Sequence, residues 1–265
     1  MGAEGDTSTG GLTRQISRYH TRAPKGRSLV SEWVAWHKGY EEGSPLAQRL
    51  GVVQGLIRRA LDGAAPGAIR VISMCAGDGR DLLGVLSDHG RGSDVRARLV
   101  ELDPELSGRA RLRAAEVSPA IEVVTGDASL MTAYAGAVPA DIVLACGIFG
   151  NVTDDDVHRI VAHLPALCAP GATVIWTRGT FAPDLTPTIR AWFAVAGFSE
   201  LDFIATPETT IGVGANRLTS PPRPFEPDLR LFTFLPREQR PSQVSASVRS
   251  PAAGGSPPQP PQTNR

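Results

Sequence analysis

The chain has 265 residues, of which 42% are hydrophobic and 20% charged, and its 27 basic side chains are balanced by 27 acidic ones. That length suffices for one sizeable α/β domain with a core, and the neutral balance excludes the overall basic footprint of a general nucleic-acid binder. No apolar run reaches transmembrane length, and three widely spaced cysteines without a CxxC pattern supply neither a disulfide framework nor a zinc site, as expected of a reduced, cytoplasmic protein.

Residues 1–28 are polar and read as a flexible N-terminus. The opening MGAEGDTSTGG lacks the apolar core of a signal peptide, and Asp6 stands where a myristoylation signal has Ser or Thr. Residues 29–66 read as an N-terminal helical segment. Trp33, Trp36, His37 and Tyr40 fall close together there. Such a cluster either packs a helix on the domain or forms a lid over a ligand. In the second case His37, with an ordinary pKa near ~6.5, can serve as a general base. From Ser44 a helix is expected, with Ser44 as N-cap, Pro45 in the first turn and Gly63 as stop.

The run 69–75 predicts a strand buried on both faces. It breaks into Ala76, Gly77, Asp78 and Gly79, and a helix over 80–89 follows. This strand, glycine turn and helix form a unit that admits a ligand to backbone N–H groups, although two glycines after a strand also serve tight turns. A strand over 97–102 ends on Glu101, 22 positions after Gly79. A carboxylate there can accept hydrogen bonds from both hydroxyls of a ribose. Asp103 is an alternative ligand, or the cap of the helix that Pro104 opens over 104–116. A third strand over 121–127 ends on Asp127, which either receives the amino group of an adenine or caps the short helical piece over 129–137.

A strand over 140–146 leads into CGIFGNV, where Phe149 and Asn151 either touch a substrate or, for Asn151, satisfy a turn. Thr153 caps a helix over 154–168 whose first turn holds Asp154, Asp155 and Asp156, where the macrodipole favours them. These three point to different sides of the helix and form no metal cage. A strand over 172–178 ends on Arg178, a candidate partner for an acidic substrate that is as well explained as a surface residue. A helix over 186–197 and a strand over 199–206 follow. The stretch 206–228 is long for a connection, which suggests a loop that shapes a substrate pocket. The run 229–235 predicts a last strand. No helix separates it from the strand before, so it should insert antiparallel. Residues 237–265 have too few core formers to order and read as a disordered Pro/Ser-rich tail.

The alternation implies an α/β fold with a doubly wound, seven-stranded, mostly parallel sheet and helices on both faces. Its ligand site should lie at the carboxyl ends of the strands. ISMCAGDG, VELD and GDA end three successive strands, and with the segments 140–177 and 229–235 they make the chain resemble the class I S-adenosylmethionine-dependent methyltransferases over 69–235. The resemblance implies a Rossmann-like methyltransferase fold with an antiparallel last strand, and a helical lid over 29–66 beside a domain over 67–236. It also implies S-adenosylmethionine as cofactor. The implied contacts come from Ser73, Cys75, Ala76, Gly77, Asp78 and Gly79, from Glu101 and Leu102, from Asp127 and Ala128, and from Cys146 and Gly147. Trp36, Tyr40, Phe149, Asn151 and Arg178 would line the lid or substrate side, with His37 as a base. Ser73 and Cys75 stand where the family usually has an acidic residue and a glycine.

The implied activity is methyl transfer to a small-molecule acceptor, with no metal, nucleic acid or membrane involved. The sequence carries no signal for oligomeric state. Two other readings use the same residues. A nicotinamide-dependent oxidoreductase also needs a glycine turn and an acidic strand end, but CAGDGRD lacks the third glycine of that fingerprint. A non-catalytic nucleoside-binding protein would keep the pocket and transfer nothing.

Overall fold

The computed structural model describes residues 34, 39–40, 43–118, 120–205 and 210–240. The stretches 1–28 and 241–265, with Trp36 and His37, lie outside the described residues. The first described helix, α1 (Pro45–Asp62), starts where Ser44 accepts a hydrogen bond from Ala47 N–H and stops at Gly63. It buries Val53, Leu56, Ile57 and Leu61. Residues 45–62 of the expected lid segment are therefore a core helix, because one face carries this apolar stripe. Arg91 fixes its far end by donating to the carbonyls of Leu61, Ala64, Ala65 and Gly67.

Strands and helices then alternate as β1 (Ile69–Met74), α2 (Arg80–Leu86), β2 (Val95–Glu101), α3 (Pro104–Val117), β3 (Ile121–Thr125), β4 (Ala140–Ala145), α4 (Asp154–His163), β5 (Cys168–Gly179), α5 (Thr186–Val195), β6 (Phe198–Ala205) and β7 (Ile211–Leu218). They form one seven-stranded sheet in the order β3-β2-β1-β4-β5-β7-β6. The pairs from β3 through β5 are parallel, and β7 runs antiparallel to both β5 and β6. Parallel strands need both faces covered. One core layer packs α1, α2 and α3 against Val71, Ile142, Leu144 and Ile175. The other packs α4 and α5 against Ile72, Val143, Val174 and Trp176. No helix among the described residues is long and apolar enough to cross a membrane.

The antiparallel strand is present, but it is formed by IGVGANRL within the stretch read as a loop, not by 229–235. Glycine and asparagine have low strand propensity, which hid it. Its glycines are required by the neighbours. A Cβ on Gly214 would lie 2.3 Å from the Trp176 ring, and one on Gly212 would lie 2.7 Å from Phe203. Trp176 stacks with Phe149, Phe193 and Phe203 at centroid distances of 5.8, 5.6 and 5.7 Å and donates its indole N–H to Asn216.

Residues 219–235 instead form a strap. It crosses the α4/α5 face, with Leu231 and Phe232 buried in that layer. It pairs with the post-β3 region in strand fashion at the bridge between Leu130 and Arg230. The link from β3 to β4 holds only a 3-10 turn (Met131–Tyr134), so the strap covers apolar surface there. Two helices end early. α2 stops at Leu86, and α4 stops at His163 before a 3-10 turn that contains Pro165, so that Cys168 already belongs to β5.

Gly214→Ala is expected to destabilise the protein by about 1–3 kcal/mol, as overpacking against a rigid indole does. Urea denaturation would measure this, and an unchanged midpoint would show that the Trp176 stack can yield.

Candidate functional site

The chain's progress through the sheet reverses between β1 and β4, which opens a crevice at the carboxyl ends of the strands. Three residues after β1 have left-handed backbone, Cys75 at φ 51°, Gly77 at φ 59° and Gly79 at φ 77°. Glycine takes this conformation without cost, whereas the Cys75 side chain is strained by about 1–2 kcal/mol. Space also demands Gly79, because a Cβ there would lie 2.6 Å from Leu83. The turn closes through Gly79 N–H to the Ala76 carbonyl at 2.9 Å, and Ala76 N–H reaches across to the Val100 carbonyl at 3.0 Å.

Glu101 ends β2 beside this turn. One carboxylate oxygen accepts from Gly77 N–H at 2.7 Å, and the other accepts from Asp103 N–H at 2.9 Å. Glu101 thereby ties the turn after β1 to the start of α3. Asp103 resolves toward the cap, since one of its oxygens accepts from both Glu105 and Leu106 N–H. Leu102, between them, is 59% exposed, an apolar side chain left open at the crevice rim. After β3, Asp127 accepts from Ser129 N–H at 2.9 Å and from Arg230 at 3.0 Å. Ala128 is buried, and its carbonyl accepts from the Tyr134 hydroxyl at 2.6 Å.

After β4, Cys146 is buried and Gly147 has φ 74°. Gly147 N–H donates to Thr177 Oγ1, and its carbonyl accepts from Asn151 Nδ2, both at 2.8 Å. Asn151 thus satisfies a turn. A Cβ on Gly147 would stand 4.0 Å from Arg49 Nη1. Arg49 was not singled out by sequence, since an arginine in an amphipathic helix reads as solvated. It is buried, donates to the Tyr40 hydroxyl at 2.9 Å and lies 3.4 Å from Asp81. Burial alone would lower its pKa, but Asp81 and Tyr40 raise it, so the guanidinium stays charged. Tyr40 also lies under Arg80, 4.1 Å from guanidinium carbon to ring centroid, which fastens this part of the N-terminal segment over the turn.

Three expected residues face elsewhere. Phe149 is fully buried in the aromatic stack, because the loop after β4 folds back into the core. Arg178 is buried rather than on the surface. It donates to the Phe149 carbonyl and lies 3.6 Å from Asp154, and burial lowers its pKa. The Asp78 carboxylate is buried in ion pairs with Arg80 at 2.5 Å and Arg113 at 3.1 Å, and so ties the turn to α3. Ser73 is buried inside β1. Beside Arg49, a cleft of about 410 Å³ runs between α1 and the β6–β7 hairpin, lined by Gln48, Gly51, Val52, Ile204, Ile211 and Val213. Part of the stretch expected to shape a pocket therefore does line one, as β7.

Burial pushes up all three thiols. Cys168 rises to about 12, and Cys75 is raised further by the charges of Glu101 and Asp127. None is a thiolate available for covalent catalysis. Among the described residues no group of His, Cys, Asp and Glu is arranged to hold a metal ion.

No protein-family model and no curated protein sequence matches the chain. Its fold is that of solved methyltransferases. Magnesium protoporphyrin IX methyltransferase from Synechocystis PCC 6803, with S-adenosylmethionine bound, matches 71% of this chain and 91% of its own length at 15% identity and TM-score 0.55. The 1,6-didemethyltoxoflavin-N1-methyltransferase of Burkholderia thailandensis, with 1,6-didemethyltoxoflavin and S-adenosylhomocysteine bound, matches 75% and 93% at 16% identity and TM-score 0.54. The CurJ carbon methyltransferase matches 72% and 59% at 14% identity and TM-score 0.55. At these identities the likeness is one of fold.

Glu101→Ala removes the acceptor of two backbone N–H groups and is expected to cost the ligand-free protein about 1–3 kcal/mol. Chemical denaturation without ligand would measure this, and an unchanged stability would show that the turn closes without the carboxylate.

Proposed function

We propose that the protein is an S-adenosylmethionine-dependent methyltransferase acting on a small-molecule acceptor. The observation that carries this reading is the position of the Glu101 carboxylate, which ends β2 against the left-handed Gly77 turn at the carboxyl ends of the strands, where an acidic side chain meets a ribose. The cofactor fits the other residues of the crevice as well. The exposed Leu102 gives an apolar contact for an adenine ring, and Asp127 gives an acceptor for its amino group. Gly147 leaves room for close backbone approach, and Arg49 contributes a cation on the β4 side that suits the carboxylate of the methionine part.

When bound, the cofactor supplies an electrophilic methyl group for a nucleophilic acceptor atom. The protein's part is to bind, orient and exclude water. No described side chain is required as a covalent catalyst. A proton acceptor is needed only if the acceptor atom carries a proton, and His37 is our candidate for it. The cleft between α1 and the β6–β7 hairpin, apolar with Arg49 at one end, is our candidate for the acceptor's approach.

The dinucleotide-dependent alternative is disfavoured. The classic strand order of its domains places β6 directly beside β5 in a mostly parallel sheet, whereas here antiparallel β7 lies between them. Calorimetric titration should give micromolar affinity for S-adenosylmethionine and S-adenosylhomocysteine and none for NADH. Binding of NADH alone would overturn the reading. Binding of the first two without methyl transfer to any of a broad panel of small nucleophiles would favour the non-catalytic binding protein. Glu101→Gln, which loses a charged acceptor worth about 1.5–3 kcal/mol, should weaken S-adenosylhomocysteine about 10- to 150-fold in the same assay.

A further inference from the structure

The C-terminal strap reaches the rim of the crevice as well as the core beneath it. Two backbone hydrogen bonds tie it to the loop after β3, from Met131 N–H to the Leu229 carbonyl at 3.0 Å and from Leu231 N–H to the Ser129 carbonyl at 2.7 Å. Two more tie its other end to the region after β4, from Leu235 N–H to the Asn151 carbonyl at 2.8 Å and from Thr233 N–H to the Asp156 carboxylate at 3.0 Å. The strap thus presents Arg230 from a fixed backbone. The Arg230 guanidinium is half exposed and donates to Asp127 Oδ2 at 3.0 Å and to Ser129 Oγ at 2.5 Å.

Asp127 accepts from Ser129 N–H on Oδ1 and from Arg230 on Oδ2, and the Ser129 side chain is hydrogen-bonded to it as well. Donors on opposite oxygens fix the plane of a carboxylate, and its roughly four lone-pair sites leave room for a further donor. Burial pushes the Asp127 pKa up, but the hydrogen bonds from Ser129 and Arg230 outweigh it and hold the group below the usual carboxylate range. The charged form is the stronger acceptor. An ion pair this exposed contributes little to stability, so orientation is the larger consequence of this one.

We propose that Arg230 is a positioning residue, which holds the Asp127 carboxylate for the amino group of an adenine ring and makes the strap part of the nucleobase selectivity of the site. This rests on the reading of the crevice as an S-adenosylmethionine site. The test compares S-adenosylhomocysteine with S-inosylhomocysteine, in which a carbonyl replaces the adenine amine. Both would be titrated calorimetrically into the wild-type chain, Arg230→Ala and Arg230→Lys. The wild-type protein should prefer the adenine form by about tenfold, the equivalent of one hydrogen bond to a charged group. Arg230→Ala should lower affinity for the adenine form about three- to tenfold and change the inosine form by less than about twofold. Arg230→Lys keeps the charge without the planar fork and should fall between.

A purely structural role for the strap would weaken both ligands together, and that result would overturn the proposal. So would a wild-type preference that Arg230→Ala leaves intact, or equal wild-type binding of the two. A wild-type chain that binds neither ligand would overturn the cofactor reading itself and this inference with it, so the two failures are distinguishable.

Discussion

The hydrogen bond from Gly77 N–H to the Glu101 carboxylate is the constraint on which the site depends. It joins the turn after β1 to the end of β2, two strands whose register is set independently by the parallel ladder between them. The turn can adopt its left-handed path only because glycines occupy two of its three positive-φ positions. A buried carboxylate would be costly if unpaired. Here the N–H groups of Gly77 and Asp103 offset that cost.

The aromatic layer behind β5 accounts for the unusual composition of β7. Trp176 and its stacked neighbours occupy the space where side chains of a neighbouring strand would stand, so β7 is built with Gly212 and Gly214. The same layer takes in Phe149, which removes that residue from the substrate side. The strap then covers the apolar surface near the short 3-10 turn between β3 and β4, with Leu231 and Phe232 as its buried anchors. Core packing and site architecture are therefore continuous, since the segment that fills the core also delivers Arg230 to the rim.

Charge is divided between the two sides of the crevice. Glu101 ends β2 and Asp127 follows β3, while Arg49 stands beside the loop after β4, held by Asp81 and Tyr40. Such an arrangement suits a ligand with hydroxyl and amino donors at one end and an anionic group at the other. Asp78, which lies between these groups in sequence, serves a different purpose. Its pairing with Arg80 and Arg113 braces the turn against α3.

Much of this was legible from local pattern. The continuous apolar run of β1 specified a buried parallel strand. Ser44, Asp103 and Thr153 marked helix starts because a capping oxygen is a local requirement. The glycine turn and the acidic strand end also followed from spacing, because the chain itself sets the distance between consecutive strand ends. What the sequence could not convey was long-range placement. Arg49 meets Asp81 across 32 positions and Arg230 meets Asp127 across 103, and nothing local distinguishes either arginine from a solvated one. The Gly-rich β7 read as loop because its strand character comes from pairing with β5 and β6 rather than from propensity. The hydrophobic 229–235 read as a strand because burial alone does not specify what a segment buries against. Sequence by itself determined the layered α/β fold and the place of the glycine turn and the acidic residues at the strand ends, which depend on local periodicity and spacing. Only the tertiary structure decided which charged and aromatic side chains surround them, because those contacts arise when distant segments are packed together.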